Sequence, residues 1–406
     1  MSTEEFQAVA IIGGGYGDEG KGLMTDYYAS ALTNPVVVRS NGGAQAGHTV
    51  VTPDGRRHVF SHFSSGTFAG APTYLSEFFV VNPILFAREH RQFVKDFGFA
   101  PTVYIHPHAP VTSPFEMLIN QSLEHMRGED PHGSCGVGFG ETFERRKRMH
   151  LVWGMSYLAQ INKDMLHEDF VRLREEYVPQ RVDLNNVGQV FRDVINNEQL
   201  FEDFIMDLTY MMDHVEVRYY DAIWDRDTIF EGAQGLLLDQ DYGHFPHVTR
   251  SNTGMRNISV IMEQLVTNFR QMNVNYVTRA YTTRHGAGPL AFEQSMPEWV
   301  KDNTNVHNEW QHGLRYAPLD LDLFESVTSK DFALYGNEHN EYYDVQMTRT
   351  MTCVDQLPRN GFTYSLIKGG RWHHHNSGFN ESIVQNTFDY ISQGPTRNDI
   401  HSTLDP

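Results

Sequence analysis

The sequence predicts an α/β protein organised around a mainly parallel central sheet, and three features carry that prediction. Short β-branched runs alternate with longer helix-like stretches, polar glycine-rich segments accompany several of those runs, and no internal repeat, low-complexity linker or composition break divides the chain. The expected organisation is one large domain over residues 1–406, with a P-loop-like nucleotide site at the carboxyl ends of strands and inserted helical subdomains.

The elements justify this in order. "VAIIG" (9–13), "PVVVRS" (35–40), "FFVVNP" (78–83), "TVYIHP" (102–107), "TIFEG" (228–232) and "NYVTRAYTT" (275–283) read as strands, being short, apolar and β-branched or aromatic. Between them, "ILFAREHRQFVKDF" (84–97) opens just after an Asn-Pro turn and "PFEMLINQSLEHMRG" (114–128) has helical character. The segment from 187 to 220 reads as one or two long helices, and the last third, rich in Asn, His and Tyr, has the weakest pattern.

Composition narrows the function classes. A chain of 406 residues with 40% hydrophobic content buries a substantial core. No segment approaches the roughly 18 consecutive apolar residues of a membrane span, and "MSTEEF" is acidic and lacks an apolar signal core, so a soluble, cytoplasmic protein is expected. The two cysteines, Cys135 and Cys353, suit a reducing compartment. A net charge of −19 argues against nucleic acid as a partner, whereas a small anion needs only a local basic pocket. "RRKRMH" (145–150) is either part of such a pocket or a solvated helix face.

Four glycine-rich segments, each expected to follow a strand, carry the chemistry: "GDEGKG" (17–22), "SNGGAQAGHTV" (40–50), "HGSCGVGFGETFERR" (132–146) and "FEGAQGLLLDQDYGHFPHVTRSNTG" (230–254). In the first, Gly15, four residues, Gly20 and Lys21 fit a phosphate loop, but Gly22 stands where a nucleotide hydrolase has Ser or Thr. Asp18 and Glu19 add negative charge where phosphate is expected. His48 follows small residues that let a ligand approach the backbone.

The first, second and fourth of these segments, together with "AYTTR-x-GAGP" and "QGPTR" (393–397) and weaker matches between them, resemble the adenylosuccinate synthetase family along nearly the whole chain. The resemblance implies a carbon–nitrogen ligase that joins L-aspartate to C6 of a 6-oxopurine nucleoside monophosphate, a nucleoside triphosphate first converting O6 to a phosphate ester. It implies that Asp18 removes the N1 proton and, with the Gly47 backbone, helps bind Mg2+, making the missing hydroxyl unnecessary. Lys21 and the loop around Gly17, Glu19, Gly20 and Gly22 would bind the triphosphate. His48 would be the acid at the phosphorylated O6 position, beside Asn41 and Thr49, Gln234 would contact the purine, and Thr249 the monophosphate. A homodimer is implied as well, with Arg146 or Arg148 reaching the neighbouring monophosphate.

Several ligand positions depart from the family pattern. In the aspartate loop, "NEWQHGLRYAPLDLD" keeps one arginine, Arg315, to pair with aspartate's carboxylates, while Asp320 would hold the loop. Cys135, beside Ser134, aligns near a phosphate-binding threonine, Gln45 replaces an asparagine, and His285 replaces a small apolar residue near the ribose. Cys353 stands in place of a guanine-reading lysine although Asp355 remains, so ATP or dATP competes with GTP as co-substrate. Ser392, Gly394 and Pro395 still match the segment at the base edge.

The set resembles the phage-type branch that converts dGMP to N6-succino-2-amino-2'-deoxyadenylate for 2-aminoadenine DNA, except that Asp18 is kept where that branch often has serine. dGMP is thus expected over IMP. Two other readings are a non-catalytic nucleotide-binding regulator, which needs no such acid-base set, and a lone phosphate-loop hydrolase, against which Gly22 argues. His373 to His375 are adjacent and do not suit a shared metal, and "HFSSGTF" (62–68) reads as packing rather than a nucleic-acid platform.

Overall fold

The computed structural model describes residues 5–128, 133–148, 158, 161, 165–265, 269–302, 313–336, 343–357, 364–375, 384 and 386–403. Its strands are β1 (Phe6–Gly13), β2 (Pro35–Arg39), β3 (His48–Val51), β4 (Arg57–Phe60), β5 (Thr73–Leu75), β6 (Val103–Ile105), β7 (Glu216–Val217), β8 (Asp227–Glu231), β9 (Phe269–Arg279), β10 (Tyr281–Arg284), β11 (Arg315–Asp320), β12 (Asp344–Thr352), β13 (Tyr364–Lys368), β14 (Arg371–His375), β15 (Tyr390–Ser392) and β16 (Ile400–Ser402). The helices are α1 (Lys21–Ala31), α2 (Pro83–Phe97), α3 (Pro114–Arg127), α4 (Phe139–Arg148), α5 (Leu166–Arg172), α6 (Val178–Arg181), α7 (Gln189–Ile195), α8 (Gln199–Met212), α9 (Met255–Gln264) and α10 (Leu321–Asp331).

Ten strands form the central sheet in the order β16-β15-β12-β9-β1-β8-β2-β5-β6-β7, every pairing parallel except β15 with β16. Strands covered on both faces read as unbroken apolar runs, which is why 9–12 and 36–38 carry no polar alternation. Ala8, Ala10 and Ile12 pack with Met255, Ile258 and Phe324 from α9 and α10, whereas Val9 and Ile11 pack with Met24 and Ala29 of α1. A separate aromatic-rich cluster joins α2, α3 and the helices between 166 and 212 to the β5–β6 edge. No helix among the described residues is long and apolar enough to cross a membrane.

Helix signals were largely local and hold: Asn82 caps α2, and Ser113 with Glu116 forms a capping box on α3. Four expectations need correction. "FFVVNP" makes only isolated bridges at Val80 and Val81, and α2 begins at Pro83 before a strand can extend. "NYVTRAYTT" breaks at Ala280, whose N–H donates to Thr352 O, so β9 and β10 enter different sheets. The stretch 187–220 holds two helices as expected, but only α8, at 14 residues, is long, and β7 ends it. The glycine-rich segment after 132 follows α3 rather than a strand. "HFSSGTF" is packing as expected, with Phe63 and Phe68 in the aromatic cluster.

Candidate active site

The order β9-β1-β8-β2 places the carboxyl ends of these strands side by side, so the loops beginning at Gly13, Ser40 and Gly232 converge. Asn41 joins two of them, its Oδ1 accepting from Ala233 N at 2.7 Å and its Nδ2 donating to Ala233 O at 3.0 Å. Leu237 N donates to Gly15 O at 3.0 Å and joins the third.

The first loop accounts for its own acids. Glu19 turns inward, its Oε1 accepting from Gly15 N (3.1 Å) and Gly17 N (2.7 Å), while its Oε2 pairs with Lys21 Nζ at 2.5 Å. A carboxylate thus holds the loop amides and lysine in the arrangement of an anion cradle. Gly20 enters α1 at φ +96°, and a Cβ there would lie 2.9 Å from Thr352 Cγ2, so both conformation and space demand glycine. At Gly22 a Cβ would lie 3.0 Å from Ser65 Oγ and 3.1 Å from both His48 Cβ and Thr49 O. A side chain in place of Gly22, such as the hydroxyl residue of a nucleotide hydrolase, would therefore crowd Ser65, His48 and Thr49 together.

Asp18 stands in the same loop at φ +63° and Gln234 in the β8 loop at φ +59°; with Cys353 they are three of only four described non-glycine residues with positive φ. Such outliers concentrate at functional sites because surrounding structure must hold them there. Asp18 Oδ2 lies 3.2 Å from His285 Nε2. Burial pushes its pKa up, but the His285 hydrogen bond and the charges of Arg279, His285 and Lys21 prevail and leave it below the ordinary aspartate value.

His48 begins β3, its Nδ1 2.5 Å from Glu231 Oε1. Glu231 is fully buried and also accepts from Ser65 N at 3.1 Å and Ser65 Oγ at 2.5 Å, with Arg39 Nε at 3.8 Å. Burial acts to raise the Glu231 pKa, yet the charge of Arg39 and the hydrogen bonds from His48 and Ser65 hold it down at about 2. Burial lowers the His48 pKa despite Glu231, which leaves a neutral ring. Sequence reasoning missed this carboxylate, although it stands inside the "FEGAQG" motif.

Beside these groups lies a cavity of about 310 Å³. Gln45, Ser134, Gln234, Thr249, Arg284 and His285 line it. Gln45 Nε2 and Oε1 and Gln234 Oε1 are buried there without a hydrogen-bond partner. An unpaired buried polar atom costs about 1–3 kcal/mol, so these amides point to a ligand that completes them. Ser134 Oγ donates to Asn120 Oδ1 at 2.8 Å, and burial raises the Cys135 pKa to about 11, so its thiol stays neutral. Arg127, Arg250 and Arg284 also line the cavity, Arg284 buried and donating to the His247, Ala287 and Pro289 carbonyls, and none was singled out from sequence. Within "RRKRMH", Arg145 is buried against Glu116 at 2.5 Å instead of solvated, Arg146 lies over Phe143, and Arg148 is exposed with Glu144 at 2.6 Å. Met149 and His150 lie outside the described residues.

Other candidates sit further around the sheet. Arg315 at the start of β11 donates to Glu293 at 2.8 and 2.5 Å and to the Gly286 and Gly288 carbonyls, so an aspartate carboxylate must displace Glu293 to use its fork. Asp320 caps α10 through Leu323 N, and positions 308–312 of the expected aspartate loop lie outside the described residues. Asp355 is exposed in the turn after Cys353; β15 packs beside that turn, and Ser392 Oγ at its end donates to Gly394 O at 2.6 Å in the segment that Pro395 continues. His373 lies 3.1 Å from Lys368 O, and the side chains of His374 and His375 lie outside the described set.

Comparison with known proteins gives a consistent result. The family model described as adenylosuccinate synthetase matches residues 10–314. The adenylosuccinate synthetase of Clostridium beijerinckii is 32% identical over 315 residues, covering 73% of this chain and 68% of its own. That of Clostridium perfringens is 30% identical over 332 residues, covering 79% and 74%. Among solved structures, fully ligated adenylosuccinate synthetase from Plasmodium falciparum has a TM-score of 0.65 at 18% identity, covering 97% of this chain and 99% of that one. Succinoaminodeoxyadenylate synthetase of cyanophage S-2L, bound to dGMP and to dATP as an energy donor, has a TM-score of 0.60 at 16% identity, covering 98% and 96%. These two likenesses establish the fold.

Proposed function

This chain belongs to the adenylosuccinate synthetase family of carbon–nitrogen ligases, and from that premise we propose that it couples L-aspartate to C6 of dGMP, giving N6-succino-2-amino-2'-deoxyadenylate. The observation that carries the choice of purine is the pair of buried amide oxygens, Gln45 Oε1 and Gln234 Oε1, that lack a donor beside the cavity. The base edge of IMP donates only through N1–H; guanine adds a 2-amino group that donates as well. An acceptor left unpaired beside the C2–H of IMP favours the guanine base by the cost of an unmade buried hydrogen bond.

In this reading Asp18 takes the N1 proton, and O6 attacks the γ-phosphorus while the nucleoside diphosphate leaves. Aspartate's amine then attacks C6, and the O6 phosphate departs with the bonding electrons. His48, oriented by Glu231, donates at the O6 position once phosphate charge beside the ring offsets its burial. Lys21 and the Gly15 and Gly17 amides exchange Glu19 for phosphate. The Asp18 carboxylate, 24% exposed, and the carbonyl of exposed Gly47 are hard oxygen donors that suit Mg2+, which when bound supplies positive charge to the phosphates. Cys353 in place of a guanine-reading lysine favours ATP or dATP over GTP.

A second reading, IMP to adenylosuccinate, is favoured by the names of the relatives at 30–32% identity. The test is a matched assay with aspartate and Mg2+, IMP or dGMP against ATP, dATP and GTP, and product masses. A dGMP preference supports the first reading, and saturation by IMP with no turnover of dGMP overturns it. Asp18→Asn is expected to abolish turnover with either purine; intact turnover would refute the catalytic assignment.

A further inference from the structure

We propose that Glu77, His106 and His108 form a binding site for zinc, or an ion of similar ligand preference, at the edge of the central sheet. One nitrogen of each ring and one carboxylate oxygen lie within 4.8 Å of one another. The arrangement follows from topology. β5 and β6 are parallel neighbours with Leu75 opposite Ile105, so the chain segments carrying Glu77 and His106 leave the sheet together at its carboxyl end. Ala109 N–H then donates to His106 O at 2.9 Å, and the turn brings the His108 ring to 5.3 Å from that of His106.

The chemistry is that of a ligand set short of its ion. His106 is 2% exposed, and its Nε2 has no hydrogen-bond partner, an omission that buried polar atoms rarely show. Its Nδ1 accepts only a long bond, from His108 N–H at 3.2 Å, and ligation through Nε2 moves the ring proton to Nδ1 and gives that contact up. Gln264 Nε2 donates to Glu77 Oε1 at 2.7 Å and orients the carboxylate, and the rings of Tyr219 and Tyr220 pack on His106 at 5.4 and 4.8 Å. Two imidazoles with one carboxylate suit zinc rather than magnesium, which prefers oxygen alone. Three residues after Glu77, Val80 donates its N–H to Gly42 O at 2.8 Å, so the segment carrying Glu77 also contacts the loop of Asn41.

The experiment is equilibrium dialysis of the full chain against Zn2+ in excess Mg2+, with bound zinc measured per chain for the unaltered protein, His108→Ala and Glu77→Gln. His108 is exposed, so its loss leaves the core intact, and retained ligase turnover in magnesium checks the fold. One zinc per chain is expected to disappear, or to bind at least about tenfold more weakly, in each variant. With Co2+ in place of zinc, the unaltered protein should show a visible ligand-field band that His108→Ala lacks. Equal zinc in all three proteins, or none in the unaltered one, overturns the proposal.

Discussion

The first loop and the cavity beside it meet the same problem, polar groups under cover, in opposite ways. Around Gly15–Lys21 each acid is answered from within: Glu19 binds two loop amides and Lys21, and Glu231 behind it binds Ser65 and His48. In the cavity, Gln45 and Gln234 keep amide atoms without partners. The difference separates groups whose substitution should disturb the empty protein from groups whose substitution should be felt only when a ligand arrives.

The largest effect is expected at Lys21. Removing one member of a buried ion pair leaves the other uncompensated, so Lys21→Ala should destabilise the ligand-free protein by about 3–5 kcal/mol, measured by denaturant unfolding. Ligase turnover should fall steeply as well, since the triphosphate loses its cation. A Glu19→Gln, Lys21→Met double variant should recover much of the stability and none of the turnover. A single variant as stable as the parent would break the contrast.

Next comes Glu231, read through pH. Its folded pKa of about 2 lies below the ordinary 4.5, so its stabilisation is present above pH 4.5 and is lost as pH falls toward 2. The fall amounts to about 3 kcal/mol. Glu231→Gln removes that titration, so acid unfolding curves should show the unaltered protein losing about 3 kcal/mol more than the variant across this window. Parallel curves would mean that the buried carboxylate is not held ionised by His48 and Arg39.

How much of this was legible depends on how local each feature is. β1, β2, β8, α2 and α3 could be read because a doubly covered strand and a capped helix leave continuous local signatures. β12 was not read: "DVQMTRTMT" alternates polar residues, and its identity as a strand rests on pairing with β9, some seventy positions earlier. The same distinction runs through the site. Asp18, Lys21, His48 and Gln234 stand in readable motifs, whereas the role of Glu231 arises because β2 and β8 place Arg39 directly opposite it. Gly22 was visible as an anomaly, but the crowding of that position by Ser65, His48 and Thr49 required the third dimension.

A smaller effect tests the open half of the contrast. Gln45→Leu removes two buried polar atoms that have no internal partner, so stability should stay level or rise slightly. KM for the purine monophosphate should instead rise about tenfold, the expected loss of roughly 1–1.5 kcal/mol for one hydrogen bond. If Gln45 serves the 2-amino group, the penalty falls on dGMP and spares IMP, which a side-by-side assay resolves. A stability loss without a KM change would place Gln45 with the self-satisfied groups.

The smallest stability effect belongs to Arg148, which is paired from within but at an exposed surface. Its pair with Glu144 at 2.6 Å lies on an exposed helix face, and the same carboxylate also binds Arg250 at 2.5 Å. Exposed pairs contribute about 0–1 kcal/mol, so Arg148→Ala should leave the unfolding midpoint nearly unchanged. Should its guanidinium reach the monophosphate of a neighbouring chain, as the family resemblance implies, the cost appears in catalysis: KM rises and turnover falls in a normally folded protein. Mixing inactive Arg148→Ala with inactive His48→Ala should then restore part of the activity, because some mixed dimers carry one site with both residues intact. No recovery in chains shown to exchange would confine Arg148 to its own surface and pass the role to Arg146 or Arg250.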